Sequence, residues 1–217
     1  MRILAIMAKA PRPGHVKTRL ASAGTPAFVI ELYRAFIEDS IALGERVGAQ
    51  VAIVCPPDDA DEISEWMPRV WIVRQRGRGL AEALSSSFDI LCAQSERVVA
   101  FNGDSPHLAP GVLESAFAAL ADHDIVAGPS ADGGYYLVGA RTAHPGLFAP
   151  ASLGTGSALD SLLAQAGQRG LSSYLTAPHY DVDVPGDLAR LADELRAAPE
   201  CAPRTARVLR AWVPLGA

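Results

Sequence analysis

The chain has 217 residues, 49% of them hydrophobic and 20% charged, with a formal net charge of −5. That length and apolar share predict one globular domain with a sizeable core and exclude a disordered chain. The acidic balance argues against a general nucleic-acid binder, and no apolar run approaches membrane-spanning length. Cys55, Cys92 and Cys201 are far apart, without metal spacing and odd in number, so reduced thiols and a cytoplasmic setting are expected.

Residues 3–8 form a continuous apolar run, read as a buried strand and too short for a secretory leader. The run breaks into Pro11-Arg12-Pro13-Gly14 and then Lys17-Thr18-Arg19-Leu20. The chain's only lysines, Lys9 and Lys17, lie here beside Arg2, Arg12 and Arg19, and no acidic residue precedes Glu31. An uncompensated cationic loop between a strand and a helix is a candidate seat for a polyanion. The plainer alternative is a solvated basic loop. The loop matches neither the Walker A spacing nor the dinucleotide fingerprint.

Thr25-Pro26 reads as an N-cap and first helical residue, opening a helix to about residue 47. A strand over 51–55, a short acidic helix over 58–66 and a strand over 70–73 follow. The next loop, Gln75-Arg76-Gly77-Arg78-Gly79, leads into a helix to about residue 94; its arginines either read a base or phosphate or simply connect. Residues 98–101 form a fourth strand running into Asn102-Gly103-Asp104-Ser105-Pro106, with a helix from about Pro110. Strands over 125–127 and 135–138 flank the turn Ala131-Asp132-Gly133-Gly134, as a hairpin or a strand change. A loop over 141–153, a helix over 157–168, a short strand at Tyr174-Leu175 and a helix over 186–196 complete the pattern. Residues 199–217 are a tail or terminal helix with Arg204, Arg207 and Arg210 on one face, solvated in the simplest reading.

Alternating strands and helices predict a three-layer α/β/α sandwich with a mostly parallel mixed sheet. Ligands of such sheets sit beyond the carboxyl ends of the strands. That rule gathers the first loop, the 77–79 loop, Asp104, Asp132 and Asp183 at one edge. Asp104, at the end of a strand apolar on both faces, is a candidate hard-cation ligand or a turn cap. Asp183 is a second candidate, with Asp181 competing, and two carboxylates suit Mg²⁺ or Mn²⁺ shared with a phosphate chain. Lys9, Lys17 and Arg19 are candidates to neutralise phosphate oxygens, and Gly14 to let the backbone approach them. The five histidines show no metal spacing; His15 and His107 lie near enough to be candidate substrate contacts.

Four motifs fall in a recognisable order: Lys9-Ala-Pro-Arg-Pro-Gly-His-Val-Lys-Thr-Arg-Leu20, Gly103-Asp-Ser-Pro-His-Leu108, Gly128-Pro-Ser-Ala-Asp-Gly-Gly-Tyr-Tyr-Leu-Val-Gly139 and Asp181-Val-Asp-Val-Pro-Gly-Asp-Leu188. They resemble the GT-A-like enzymes labelled radical SAM/selenodomain-associated transferases, within the nucleotide-diphospho-sugar transferase superfamily. The Lys-Thr-Arg-Leu ending resembles 2-phospholactate guanylyltransferase in particular. The resemblance implies a catalytic set of Lys17, Lys9 and Asp104, and nucleotide contacts from Lys9, Gly14, Lys17, Arg19, Gln75, Gly77 and Gly79. It implies an acceptor site at Asp132, Gly133 and Gly134, and a Mg²⁺ or Mn²⁺ ion on Asp104 and Asp183. The expected partners are a nucleotide, either a nucleoside triphosphate or a nucleoside-diphosphate sugar, and a small-molecule acceptor, with a homo-oligomer left open. The expected activity is nucleotidyl transfer with release of pyrophosphate; glycosyl transfer and non-catalytic nucleotide binding are the alternatives. Two departures stand out: Val184 replaces the family's Thr or Ser, weakening a helix cap, and Ala81 lies in an altered 79–84 segment.

Overall fold

The computed structural model describes residues 1–148 and 157–212. Four parallel strands form one half of the sheet: β1 (Ile3–Met7), β2 (Gln50–Cys55), β3 (Trp71–Arg74) and β4 (Val98–Phe101). With β5 (Ile125–Pro129), β6 (Tyr135–Ala140) and β7 (Ser173–Leu175) they make a seven-stranded sheet in the order β3-β2-β1-β4-β6-β5-β7. Only β6 is reversed, running antiparallel to β4 and β5. The sheet is therefore mixed and mostly parallel, and the turn between β5 and β6 closes a hairpin.

The α-helices among the described residues are α1 (Pro26–Arg46), α2 (Ala60–Trp66), α3 (Gly79–Leu91), α4 (Pro110–Ala119), α5 (Ala158–Gln168), α6 (Pro185–Ala197) and α7 (Pro203–Arg210). β1 is apolar throughout because helices cover both its faces. Leu4 and Ile6 face a core shared with Tyr33, Ile37, Ile63 and Phe117, from α1, α2 and α4. Ile3 and Ala5 face the opposite core, with Leu84, Phe88 and Leu162 from α3 and α5. A third cluster packs Leu32 and Phe36, on the far side of α1, against Leu188 and Leu191 of α6 and Val208 and Leu209 of α7. α1 begins as its sequence predicts, with the Thr25 hydroxyl accepting from the Phe28 N–H at 3.2 Å.

The terminal helix is docked rather than solvated. Asp39 of α1, its side chain 1% exposed, accepts from the backbone N–H groups of Thr205 (2.8 Å) and Arg204 (3.2 Å), and Arg204 also reaches Glu38. Arg207 and Arg210 do remain exposed. Asp39→Ala would strand buried donors at the start of α7, and a loss of about 2 kcal/mol is expected in urea unfolding. The predicted loop over 141–153 lies partly outside the described residues, as does the tail beyond 212. Among the described residues no helix is long and apolar enough to cross a membrane.

Candidate active site

The chain steps from β1 outward through β2 to β3, then returns to place β4 on the other side of β1. The loops leaving β1 and β4 therefore diverge and open a crevice, as sheets of this kind do where strand order reverses. A cleft of about 500 Å³ lies there. Met7, Ala8, Lys9, His15, Lys17 and Arg19 line it from the first loop, Gln75 and Gly79 from the β3–α3 connection, and Asn102, Asp104 and Asp183 from the far wall. Leu80 and Ala83 bring the first turn of α3 to the same cleft, where free N–H groups favour an anion.

Lys17 ties the two walls together. Its ammonium lies 2.7 Å from Asp104 Oδ1 and 3.1 Å from Asp183 Oδ1, and donates to the Val182 carbonyl at 2.8 Å. The Lys17 side chain is 5% exposed, whereas Asp104 and Asp183 are 29% and 41% exposed. Burial works against the lysine's charge, but Asp104 and Asp183 outweigh it and its pKa lies above the ordinary lysine value. Burial also pushes the Asp104 carboxyl above the usual range, against the pull of Lys17 and with the push of Asp183. Arg19 reaches the other oxygen of Asp183 at 3.5 Å.

Local chemistry fixes these carboxylates. Gly103 has φ +76°, and a Cβ there would stand 2.9 Å from Ile37 Cδ1, so only glycine makes this bend without strain. The Asn102 side chain accepts from the Asp104 N–H at 3.0 Å, and Val182 N–H donates to the Asp104 carbonyl at 3.0 Å. Ser105, fully buried, shares its one hydroxyl proton between the Tyr180 carbonyl at 2.8 Å and Asp181 Oδ1 at 2.9 Å. Burial raises the Asp181 carboxyl to about 6 against the Asn102 hydrogen bond, and the charge of Asp104 adds to that rise. Asp181 thus joins the loops from behind, while Asp183 lines the cleft. The weakened cap expected at Val184 is offset by Asp187, whose carboxylate accepts from the N–H groups of Val184 (3.0 Å) and Asp183 (3.1 Å).

The first loop is less bare than its sequence implies. Arg12 is paired with Asp59 at 2.9 Å and Glu62 at 2.7 Å, and Lys17 with Asp104 and Asp183. Compensation comes from residues 47 to 166 positions away, which no local window contains. Lys9 remains exposed at the cleft, and Tyr33 clamps its backbone by accepting from the Lys9 N–H (2.9 Å) and donating to its carbonyl (3.2 Å). Nothing local in the sequence marks Asn102 or Asp187 as part of the site, and only its place on the core face of α1 signals Tyr33.

Other candidates lie off the cleft. Gly14 (φ +76°) and Gly77 (φ +78°) shape turns and do not line it. Asp132, Gly133 and Gly134 form a tight turn in which Asp132 Oδ1 accepts from Ser130 Oγ (2.6 Å) and Gly134 N–H (3.0 Å). The Ser130 hydrogen bond leads in holding the Asp132 carboxyl below its usual pKa, and the charge of Arg19 reaches it too. His15 lines the cleft, but His107 is packed away against His179 and Tyr180, at centroid distances of 4.5 and 4.6 Å.

The fit of a metal rests on the donor set. Asp104 and Asp183 present hard oxygens that already converge on one cation, the Lys17 ammonium. Two carboxylates suit Mg²⁺ or Mn²⁺, which fill their remaining positions with water and phosphate oxygens. Among the described residues no cluster of three or more His, Cys, Asp or Glu is arranged to hold a metal.

The family described as "Uncharacterized protein conserved in bacteria (DUF2064)" matches residues 40–155. No curated protein matches the chain. A structure from Desulfovibrio desulfuricans G20, proposed to be a nucleotide-diphospho-sugar transferase, is 25% identical with a TM-score of 0.86, over 97% of this chain and 98% of that one. The inositol-1-phosphate CTP transferase of T. maritima is 13% identical with a TM-score of 0.61, over 98% of each chain. A manganese complex from Mycobacterium tuberculosis H37Rv is 17% identical with a TM-score of 0.50, over 89% of this chain and 98% of that one. The chain thus has the fold of nucleotidyl and nucleotide-sugar transferases.

Proposed function

The chain belongs to the bacterial family DUF2064, and from that footing we propose that it is a metal-dependent nucleotidyltransferase. It would move a nucleoside monophosphate from a triphosphate to a small phosphorylated or hydroxylated acceptor. The observation that carries this reading is the convergence of Asp104 and Asp183 on one cation, in a cleft lined by Lys9 and Arg19. A volume of about 500 Å³ lies within the roughly 300–1,000 Å³ of small-molecule sites.

Each residue has a physical task. Lys9 and Arg19 offset the charge of the phosphate chain, and the first turn of α3 offers N–H groups to it. Tyr33 fixes the backbone that carries Lys9. Asp104 and Asp183 would hold Mg²⁺ or Mn²⁺, which when bound withdraws charge from phosphate oxygens. An acceptor oxygen, anionic in a phosphate or giving up its proton to solvent in a hydroxyl, attacks the α-phosphorus; the new O–P bond forms as the bond to the bridging oxygen breaks, and pyrophosphate leaves with that electron pair. The turn at Asp132, Gly133 and Gly134 would rim the acceptor side, a reading supported by its place after β5, which runs the same way as β1 and β4 and so ends at the same edge of the sheet. The narrower likeness to radical SAM-associated transferases and 2-phospholactate guanylyltransferase belongs to this proposal.

The test is pyrophosphate release from each of the common triphosphates with Mg²⁺ or Mn²⁺ and a panel of phosphorylated and hydroxylated acceptors. Release with one base is the expected outcome; none with any would sink the reading. The likeness to the Desulfovibrio structure favours glycosyl transfer as a second reading. A nucleoside-diphosphate sugar that raises Tm more than every triphosphate would move the assignment there.

A further inference from the structure

Resting on the nucleotidyl-transfer reading, we propose that Lys17 occupies the seat of the divalent cation and yields it only when a polyphosphate arrives. An ammonium has three N–H donors. Asp104, Asp183 and the Val182 carbonyl take all three, at 2.7, 3.1 and 2.8 Å. None is left for a phosphate, so Lys17 cannot serve a nucleotide from this position.

The surroundings are arranged for an exchange. The lysine is enclosed, but the two carboxylates are partly open to the cleft, so a metal can approach them from the side a nucleotide would enter. A metal arriving alone meets carboxylates whose charge is already largely matched. A metal arriving with a polyphosphate brings new anionic oxygens, and the displaced ammonium pairs with those. The backbone is consistent with a part that moves: Lys17 has φ 47° and ψ 41°, the only positive φ outside glycine among the described residues. Such strain persists only while neighbouring contacts hold it. The exchange removes the three contacts of the ammonium, while the Leu20 N–H continues to donate to the Lys17 carbonyl at 2.9 Å.

Metal and polyphosphate are therefore cooperative ligands, and the coupling runs both ways. The test titrates Mn²⁺ alone into the wild-type protein and Lys17→Met, reading free Mn²⁺ by electron paramagnetic resonance. Lys17→Met is expected to bind Mn²⁺ at least about tenfold more tightly, within the usual range of coupling between sites. In the wild-type protein, inorganic triphosphate is expected to raise protein-bound Mn²⁺, read by water-proton relaxation. Equal Mn²⁺ affinities for both proteins, with Asp104→Asn still losing Mn²⁺ in the presence of triphosphate, would overturn the exchange and leave the metal site standing. Asp104→Asn binding Mn²⁺ as well as the wild-type protein would remove the metal site and the exchange together. If Lys17→Met does not fold, the wild-type protein decides: Mn²⁺ held equally tightly with and without triphosphate overturns the proposal.

Discussion

Asp104→Asn is expected to lower kcat/KM for the accepted triphosphate by about 10²–10³, the range for removing one preorganised electrostatic partner. The substitution keeps size and shape, and the backbone bonds at residue 104, to Asn102 and Val182, do not use the carboxylate. What it removes is the negative charge facing Lys17 at 2.7 Å, on the wall where a metal would sit. A readout independent of the acceptor is the rise in Tm that a triphosphate gives with and without Mn²⁺. The metal-dependent part of that rise should vanish in Asp104→Asn, while the part due to Lys9, Arg19 and α3 remains. An unchanged metal-dependent rise would place the cation elsewhere.

Acid should destabilise the protein through His107. Its side chain is 6% exposed, neither ring nitrogen has a hydrogen-bond partner, and Glu194 Oε2 is 3.7 Å from Nε2. The rings of His179 and Tyr180 pack against it at tilted angles, and Arg190 stands over Tyr180. Burial, with smaller pushes from His179 and Arg190 and a pull from Glu194 the other way, lowers its pKa from 6.5 to about 4. The folded state therefore stays neutral where the unfolded chain takes up a proton. Stability is fully present above pH 6.5 and falls as the pH drops toward 4. At about 1.4 kcal/mol per pH unit this amounts to roughly 3 kcal/mol. Urea unfolding at pH 7, 5.5 and 4 should show that fall in the wild-type protein and a smaller one in His107→Phe, His179 supplying part of what is left. Identical slopes for the two proteins would refute the assignment.

Much of the fold is legible from the chain alone, because its signals are local. The apolar run of β1, the Thr25-Pro26 start of α1 and the Asp-Gly-Gly turn between β5 and β6 each lie within a few residues of what they specify. The cleft follows from strand order, and that rule brings the first loop, Asp104 and Asp183 to one edge. What sequence reading does not reach is pairing across distance. The loop around Lys17 looks uncompensated because its partners stand at Asp59, Glu62, Asp104 and Asp183. Arg207 and Arg210 are exposed as their spacing suggests, but that periodicity cannot reveal that Asp39, buried in α1, holds the start of α7 through the N–H groups of Arg204 and Thr205. Gly14 and Gly77 adopt left-handed turns, at φ +76° and +78°, and are not among the residues that line the cleft.

The contact between Lys17 and the 182–183 segment spans 165 residues or more. Bringing such distant stretches together carries a large loop-closure entropy, so this contact is disfavoured early in folding. During synthesis, β1 through β4 can pair while the last quarter of the protein is still inside the ribosome. Through that interval Asp104 would have to wait for half of its acidic wall. The cleft wall formed by Lys17, Asp104 and Asp183 is thus among the later parts the growing polypeptide can assemble, since it needs the 182–183 segment in place.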